Sequence, residues 1–525
     1  MKTLTEDRIK KLFPFPPRGK QLEIVERILE AFIDKGKKHV VLSLPTGGGK
    51  SVIAYAVSKY FGSAYVLTNQ KILQEQYNKD LNVPYILGRS NYICAQDANL
   101  TCEMGVCKRN AAEYCDKCPY LANRLTARNN WITNMNYSYY LNIIKAKQLE
   151  YRSLLVMDES HVLENEMIKS GTIRLTERIC MGLGLTNIKF PKLKDPDYEK
   201  TRWLFNDVLP KLREQYLYYK HQIQQYTKFN FSKETKKIIN RYMALERIVT
   251  IISEIKAEMA DHQKVIIQSG EDFVEYKVLY GYNLFEKYFA NNANYFLHMS
   301  ATILNKSQYC KKLNLCEDEV EYLEYESDFP VENRLIHFTP VGSMAWKKKA
   351  QTIPKMIKKV QDILKQHPTD KGIIHTVNYE LAEIIVDELY GKEQGNRLLI
   401  PRGTNRQAIL NTFYKSENPY VLISPSLTEG LDLKDDLSRF CIICKMPYAN
   451  ISDKWVKTRL ALDNMWYANF TAEQLVQMSG RSIRNKTDYA TTYILDEEFM
   501  HFAESYYYLL PEWWKAAVID DSDIE

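Results

Sequence analysis

The sequence predicts an α/β protein whose sheets are mostly parallel and divided among several domains. Apolar, β-branched runs of strand length, such as residues 40–44 and 154–157, lead into stretches with helical spacing of apolar residues, such as 52–60. The same alternation returns near the other end. There, strands expected at 372–375, 421–424 and 440–444 are separated by helical stretches, which argues a mostly parallel sheet. A chain of 525 residues is too long for one hydrophobic core and should divide into two to four domains.

The composition, 45% hydrophobic and 26% charged, is that of an ordinary globular protein and excludes a disordered or fibrous class. No uninterrupted apolar stretch is long enough to span a bilayer, and residues 1–15 lack the apolar core of a secretion signal. A cytoplasmic, monomeric protein with reduced thiols and no membrane partner is therefore expected. A net charge of +6 permits a nucleic-acid partner without arguing for one. The 37 tyrosines could stack on bases, but packing explains them as well. There are no internal repeats, and the acidic tail 520–525 reads as disordered.

Residues 39–51, HVVLSLPTGGGKS, run from a buried strand through a glycine-rich turn into a helix. That order suits a phosphate-binding loop formed by Pro45, Thr46, Gly47, Gly48, Gly49, Lys50 and Ser51. The glycines let backbone N–H groups close on phosphate oxygens, and the helix N-terminus adds its own free donors. Lys50 would reach the β- and γ-phosphates of ATP, and the Ser51 hydroxyl would ligate Mg²⁺. Leu44 stands where the strict pattern has glycine.

A second strand ends in Asp158-Glu159-Ser160-His161. Asp158 can hold Mg²⁺, and Glu159 can orient and polarise the attacking water. Alone this tetrapeptide would read as a solvated loop; downstream of a phosphate loop it reads as the second half of an ATPase site. Far beyond it, Gln477, Arg481 and Arg484 lie in Gln-x-x-Gly-Arg-x-x-Arg, which puts two arginines three apart on one helix face. Guanidinium groups from a separate domain would stabilise a transferring phosphoryl group, so these three join Lys50, Asp158 and Glu159 as candidate catalytic residues.

With these motifs the chain resembles the superfamily-two helicases, in the branch containing XPD and the bacterial helicase DinG. The resemblance extends to further segments in order. Arg18 and Gln21 resemble the adenine-recognition element, and Thr68-Asn69-Gln70 the first strand-contacting motif. Ser300-Ala301-Thr302 resembles the motif coupling hydrolysis to domain movement, and Phe329-Pro330-Val331-Glu332-Asn333-Arg334 the linker into the second motor domain. His375-Thr376-Val377-Asn378-Tyr379 and Thr428-Glu429-Gly430-Leu431-Asp432 resemble the fourth and fifth motifs. Ser160 stands where the family more usually has alanine. The resemblance implies nucleotide contacts from Glu429, Gly430 and Asp432, and strand contacts from Thr68, Asn69, His375, Thr376 and Ser426. It implies two RecA-like domains that ATP draws together, coupling hydrolysis to 5′ to 3′ movement on single-stranded DNA, on forked or R-loop substrates, in repair or replication. A translocase without long-range unwinding and an ATP-gated clamp are the alternatives. A nuclease finds no separate carboxylate cluster.

Five of the ten cysteines, Cys94, Cys102, Cys107, Cys115 and Cys118, fall between the first strand-contacting motif and the acidic tetrapeptide. By ligand chemistry they suit zinc or an iron–sulfur cluster. The resemblance selects a 4Fe–4S cluster on Cys94, Cys102, Cys107 and Cys118, with Cys115 as alternate. Lys108, Arg109, Arg124 and Arg128 could line the strand's path there or form a solvated basic face. Residues 166–264, with helical spacing and Tyr216, Tyr218, Tyr219 and Tyr226, resemble a short form of the family's helical Arch. The expected plan is a first motor domain at 1–87, 129–165 and 265–325, an iron–sulfur domain at 88–128, the Arch-like insertion, and a second motor domain at 326–525. The compact length is compatible with a bacterial or virus-encoded enzyme.

Overall fold

The computed structural model describes residues 5–105, 115, 117–185, 187–225, 232–260, 264–425, 433, 435–480 and 487–522. The strands of the first half, in chain order, are β1 (His39–Ser43), β2 (Ala64–Thr68), β3 (Tyr85–Ile86), β4 (Ile93–Cys94), β5 (Asp97–Thr101) and β6 (Ile132–Asn136). They continue with β7 (Arg152–Asp158), β8 (Thr172–Thr176), β9 (Val265–Ser269), β10 (Phe273–Val278), β11 (Ala293–Ser300) and β12 (Val320–Glu324). A seven-stranded sheet in the order β12-β1-β11-β7-β2-β6-β3 is parallel throughout. β1 and β2 are buried at every position, because helices cover both faces of the sheet. Helices Gln21–Ile33 and Lys50–Phe61 pack on one face, and Tyr137–Lys145, Leu163–Ser170 and Tyr282–Tyr288 on the other.

The second half contributes β13 (Ile336–Gly342), β14 (Gly372–His375), β15 (Leu398–Leu399), β16 (Val421–Ser424), β17 (Phe440–Ile443), β18 (Thr491–Asp496) and β19 (Val518–Asp520). They form a second parallel sheet in the order β15-β16-β14-β17-β18-β13-β19. Two parallel-sheet domains of RecA-like kind are thus present, as the strand–helix alternation predicts.

Two segments interrupt the first sheet. Between β3 and β6 lie the antiparallel pair β4–β5 and helix Pro119–Asn129. Between β7 and β11, helices Leu209–Gln224 and Lys233–Ala260 pack together beside an antiparallel sheet β8-β10-β9. This corrects the expectation that the chain returns to the first motor domain at residue 265. β9 and β10 pair with each other and with β8, and only β11 re-enters the large sheet. The burial pattern gives the reason: β10 alternates between buried and half-buried positions, which suits a one-sided antiparallel sheet. The acidic tail is also ordered further than expected. Asp520 ends β19, which pairs with β13, and Asp521 accepts a 2.7 Å hydrogen bond from His337 Nδ1.

The second half is fastened into the first. Trp455, Val456 and Trp466, from helices Lys454–Leu462 and Asn464–Ser479, belong to the core on one face of the first sheet. Asp453 starts the first of these helices, its side chain accepting from the Trp455 and Val456 amides. The Trp455 indole donates to Val278 O at 2.9 Å, and the junction includes two buried ion pairs, Arg459–Glu164 at 2.8 Å and Lys312–Glu473 at 2.9 Å. All four charged groups are buried. No helix among the described residues is long and apolar enough to cross a membrane.

Candidate active site

The phosphate-loop candidates and the acidic tetrapeptide meet at the C-terminal edge of the first sheet. β11 lies between β1 and β7, so Ser43 is level with Ser300, and Met299 with Asp158. The Leu44 amide donates to Ser300 O at 2.9 Å, continuing the pairing into the loop. Gly49 takes a left-handed φ of 81° at the cap of helix Lys50–Phe61, and a Cβ there would lie 2.0 Å from Gln21 Nε2. A Cβ on Gly48 would lie 2.7 Å from the Leu44 side chain. Leu44, the departure from the strict motif, is thus accommodated because residue 48 has no side chain. Its carbonyl also receives Lys50 Nζ at 3.2 Å.

Arg18 and Gln21 sit against this loop. The Arg18 amide donates to Gln21 Oε1 at 2.9 Å, and Gln21 Nε2 donates to Gly48 O at 3.4 Å. Pro45 is buried, Gly47 is exposed, and Thr46 and Ser51 are half-buried, so the loop's outer rim is open.

Asp158 ends β7 and is buried. Its Oδ2 accepts from Tyr77 Oη at 2.9 Å and its Oδ1 from the Glu159 amide at 3.0 Å. Burial, then the Glu159 carboxylate, push the Asp158 carboxyl up to about 6, against the opposing pull of Lys50 and Tyr77. Glu159 has φ 52°, a left-handed conformation costly for a side chain of this kind, and it presents a partly exposed carboxylate beside Asp158. Sequence reasoning missed Tyr77 and Tyr137, whose hydroxyl donates to Asp158 O at 2.8 Å. Tyrosines at helical spacing give no sign of that role.

From the tetrapeptide a polar chain crosses to the second half. His161 Nδ1 is 2.8 Å from Ser300 Oγ, Ser300 Oγ is 3.3 Å from Thr302 Oγ1, and Gln477 Nε2 donates to Thr302 Oγ1 at 3.0 Å. Gln477 is thereby brought to the acidic motif. Helix Asn464–Ser479 ends at Gly480, and Arg481 and Arg484 lie outside the described residues, as do Ser426, Glu429, Gly430, Asp432, Lys108, Arg109 and Tyr226.

A second polar chain runs behind the tetrapeptide. Ser160 Oγ donates to Met299 O at 3.3 Å and lies in hydrogen-bond reach of the Tyr309 hydroxyl. Tyr309 Oη is 2.8 Å from His298 Nδ1, and His298 Nε2 is 3.1 Å from His39 Nδ1. Burial holds His39 down at about 3 and His298 well below its ordinary value, so both are neutral in the native state. Unfolded, each titrates near 6.5, so the unfolded state binds more protons below that pH, and stability falls as pH drops from about 6.5 toward 3. The raised Asp158 carboxyl works the other way below pH 6, offsetting part of this loss. Thermal melting between about pH 7 and pH 5 should therefore decline more steeply in the natural protein than in a His298→Asn variant. Equal slopes would mean the pair does not stay neutral.

The strand-contact candidates also lie at sheet edges. Thr68 ends β2, His375 ends β14 and Thr376 follows it, but all three side chains are fully buried. The last residues of strands covered on both faces point into the layers. Thr68 Oγ1 instead donates to Gln70 O at 3.3 Å and Thr376 Oγ1 to Asn378 O at 2.8 Å, shaping the turns. The half-buried residues Asn69, Val377 and Asn378 are what each edge presents. Val377 has φ 64°, strained for a β-branched residue.

Of the clustered cysteines, Cys94, Cys102, Cys115 and Cys118 are buried and not disulfide-bonded, and Cys107 lies outside the described residues. Cys118 Sγ is 3.8 Å from Cys102 Sγ, and Cys94 acts electrostatically on the same Cys102 thiol. Among the described residues no group of three or more His, Cys, Asp or Glu is arranged to hold a metal ion. Converging buried thiols nevertheless have the donor chemistry that a thiolate-bound cluster needs.

Comparison with known proteins bears on the fold. The helicase C-terminal domain family matches residues 360–517, and the family described as type III restriction enzyme, res subunit, matches residues 14–187. The structure titled XPD helicase aligns with TM-score 0.69 at 15% identity, over 96% of this chain and 99% of its own. Xpd4 of S. tokodaii aligns with TM-score 0.59 at 14% identity, over 96% of this chain and 100% of its own. The ATP-dependent DNA helicase chl-1 of Caenorhabditis elegans is 27% identical over 88 residues, 15% of this chain and 11% of that helicase. The chain thus carries a helicase C-terminal domain and a res-subunit domain in one fold shared with the XPD structures.

Proposed function

We propose that this protein is a helicase that acts on DNA, moving 5′ to 3′ along a single strand and opening forked duplexes or R-loops. The observation that carries the reading is the hydrogen-bonded run from His161 through Ser300 and Thr302 to Gln477. It ties the acidic motif beside the phosphate loop to the second sheet, so a change at the γ-phosphate alters the fit between two domains. Lys50 and the loop amides bind the phosphates, Ser51 and Asp158 hold Mg²⁺, and Glu159 orients the attacking water. Arg481 and Arg484 supply positive charge to the transferring phosphoryl group, and Arg18, Gln21, Glu429, Gly430 and Asp432 complete the nucleotide's surroundings. Asn69, Val377, Asn378 and Ser426 meet the strand, largely through phosphate contacts indifferent to sequence.

The segment between β3 and β6 is read as an iron–sulfur domain, and the paired helices between β8 and β9 as a short Arch. Cys94, Cys102 and Cys118, with Cys107 or Cys115, would hold a 4Fe–4S cluster, which when bound cross-links the segment through iron–thiolate bonds. Cys102 is tied to the hairpin, its amide donating to Tyr92 O at 2.8 Å, and Cys118 opens helix Pro119–Asn129, so these thiols join two elements.

The test is the ATPase rate of anaerobically purified protein with and without single-stranded DNA, alongside its visible spectrum. DNA stimulation and broad visible absorbance are expected together. Cys102→Ser should bleach the absorbance and reduce unwinding more than hydrolysis. A colourless protein whose ATPase ignores DNA would overturn both the track and the cluster.

A further inference from the structure

Residues 347–365 hold seven lysines against one aspartate, so this short segment carries as much net positive charge as the whole chain's +6. It comprises the turn after β13 and helix Lys349–Gln366. The helix buries Thr352, Met356, Val360, Ile363 and Leu364 against the second sheet, and Lys355, Lys358 and Lys365 stand exposed on its outer side. At the head of this basic face stands Trp346, which is 81% exposed.

The turn is not loosely held. Met344 at its base is buried, its amide donates to Asp496 Oδ1 at 2.9 Å, and Thr352 Oγ1 donates to Ser343 O at 2.7 Å. The fold therefore fixes the base and holds the indole in water. A solvated basic face explains lysines but not a tryptophan, whose exposed surface forgoes a large burial gain. Lys349 Nζ lies 4.5 Å from the Trp346 ring centroid and reaches Glu380 at 3.4 Å, which ties the turn to the start of helix Tyr379–Leu389. Beside it the Arg402 guanidinium lies 4.7 Å from the Tyr379 ring. Tyr379 directly follows Val377 and Asn378, the edge proposed above to meet the strand.

We propose that Trp346 and the lysine face of residues 347–365 form an accessory binding surface for single-stranded nucleic acid, continuous with the Val377–Asn378 edge. The indole stacks on one base while the lysines neutralise successive phosphates. An intact duplex offers no exposed base face to an indole on a turn, which makes a single strand the occupant. The proposal rests on the reading of this protein as a motor on single-stranded DNA.

Binding of a fluorescently labelled oligothymidylate, titrated across salt concentrations, tests it. Trp346→Ala should weaken affinity roughly 5- to 150-fold, as expected for loss of one base–aromatic stack, and Trp346→Phe should restore most of it. Replacing Lys347, Lys348 and Lys355 together by glutamine should reduce the slope of log affinity against log salt by about 2. Tyr508→Ala, at an exposed tyrosine elsewhere in the same half, serves as the control expected to bind normally. If the natural protein binds the oligonucleotide and both the Trp346→Ala and lysine variants bind it equally well, this surface is overturned and the motor reading stands. If the natural protein neither binds it nor is stimulated by it, both fall. Polyglutamate competing as well as the oligonucleotide would overturn nucleic acid as the occupant.

Discussion

Lys50→Ala is expected to cut ATP turnover by at least on the order of 10²–10³-fold, the scale for losing one preorganised charge partner of a transferring group. Lys50 begins helix Lys50–Phe61, is half-buried and donates to Leu44 O, so its removal should leave the fold intact. It also opposes the rise of the Asp158 carboxyl. Without it that carboxyl should move further above about 6, and the pH at which residual turnover is lost should move up with it. Phosphate release measured across pH, beside a melting curve matching the natural protein, checks both parts. Natural turnover in the variant would refute the nucleotide site.

Arg459→Ala is expected to cost about 3–5 kcal/mol of stability, because it leaves a buried carboxylate without its partner. Arg459 Nη1 donates to Glu164 Oε1 at 2.8 Å and to Leu279 O at 2.9 Å, and its guanidinium lies 4.7 Å from the Tyr280 ring and 4.8 Å from the Trp466 ring. All of this lies where Trp455 and Trp466 enter the core of the first half, so the loss should appear as early melting of the junction. Adding Glu164→Gln to the Arg459→Ala variant removes the stranded charge and should recover part of the loss. No recovery would mean that aromatic packing, not charge, holds the junction.

The strands that carry the chemistry were legible in the sequence because each is a short apolar run flanked by loop residues. Residues 40–44 and 154–157 could be read directly, and so could their glycine and acidic endings. Residues 265–278 were harder. They have strand character, but strand character does not name a partner, and only the pairing with β8 shows them to be part of a separate sheet. The same limit applied at Thr68, His375 and Thr376. Their motif was recognisable, but which neighbouring residue faces water depends on the pleat of a strand within a sheet covered on both sides.

By itself the sequence determined the fold class and where the strand, glycine turn and helix start of the loop at 43–51 fall, because these depend on local order. The tertiary structure alone decided what surrounds them. Tyr77 on Asp158, the Ser160–Tyr309–His298–His39 chain, Gln477 on Thr302 and the burial of Arg459 against Glu164 are all contacts between residues far apart in the chain. Such contacts leave no periodic or spacing signal, since each arises only when separately formed elements pack and their polar groups must find partners out of water.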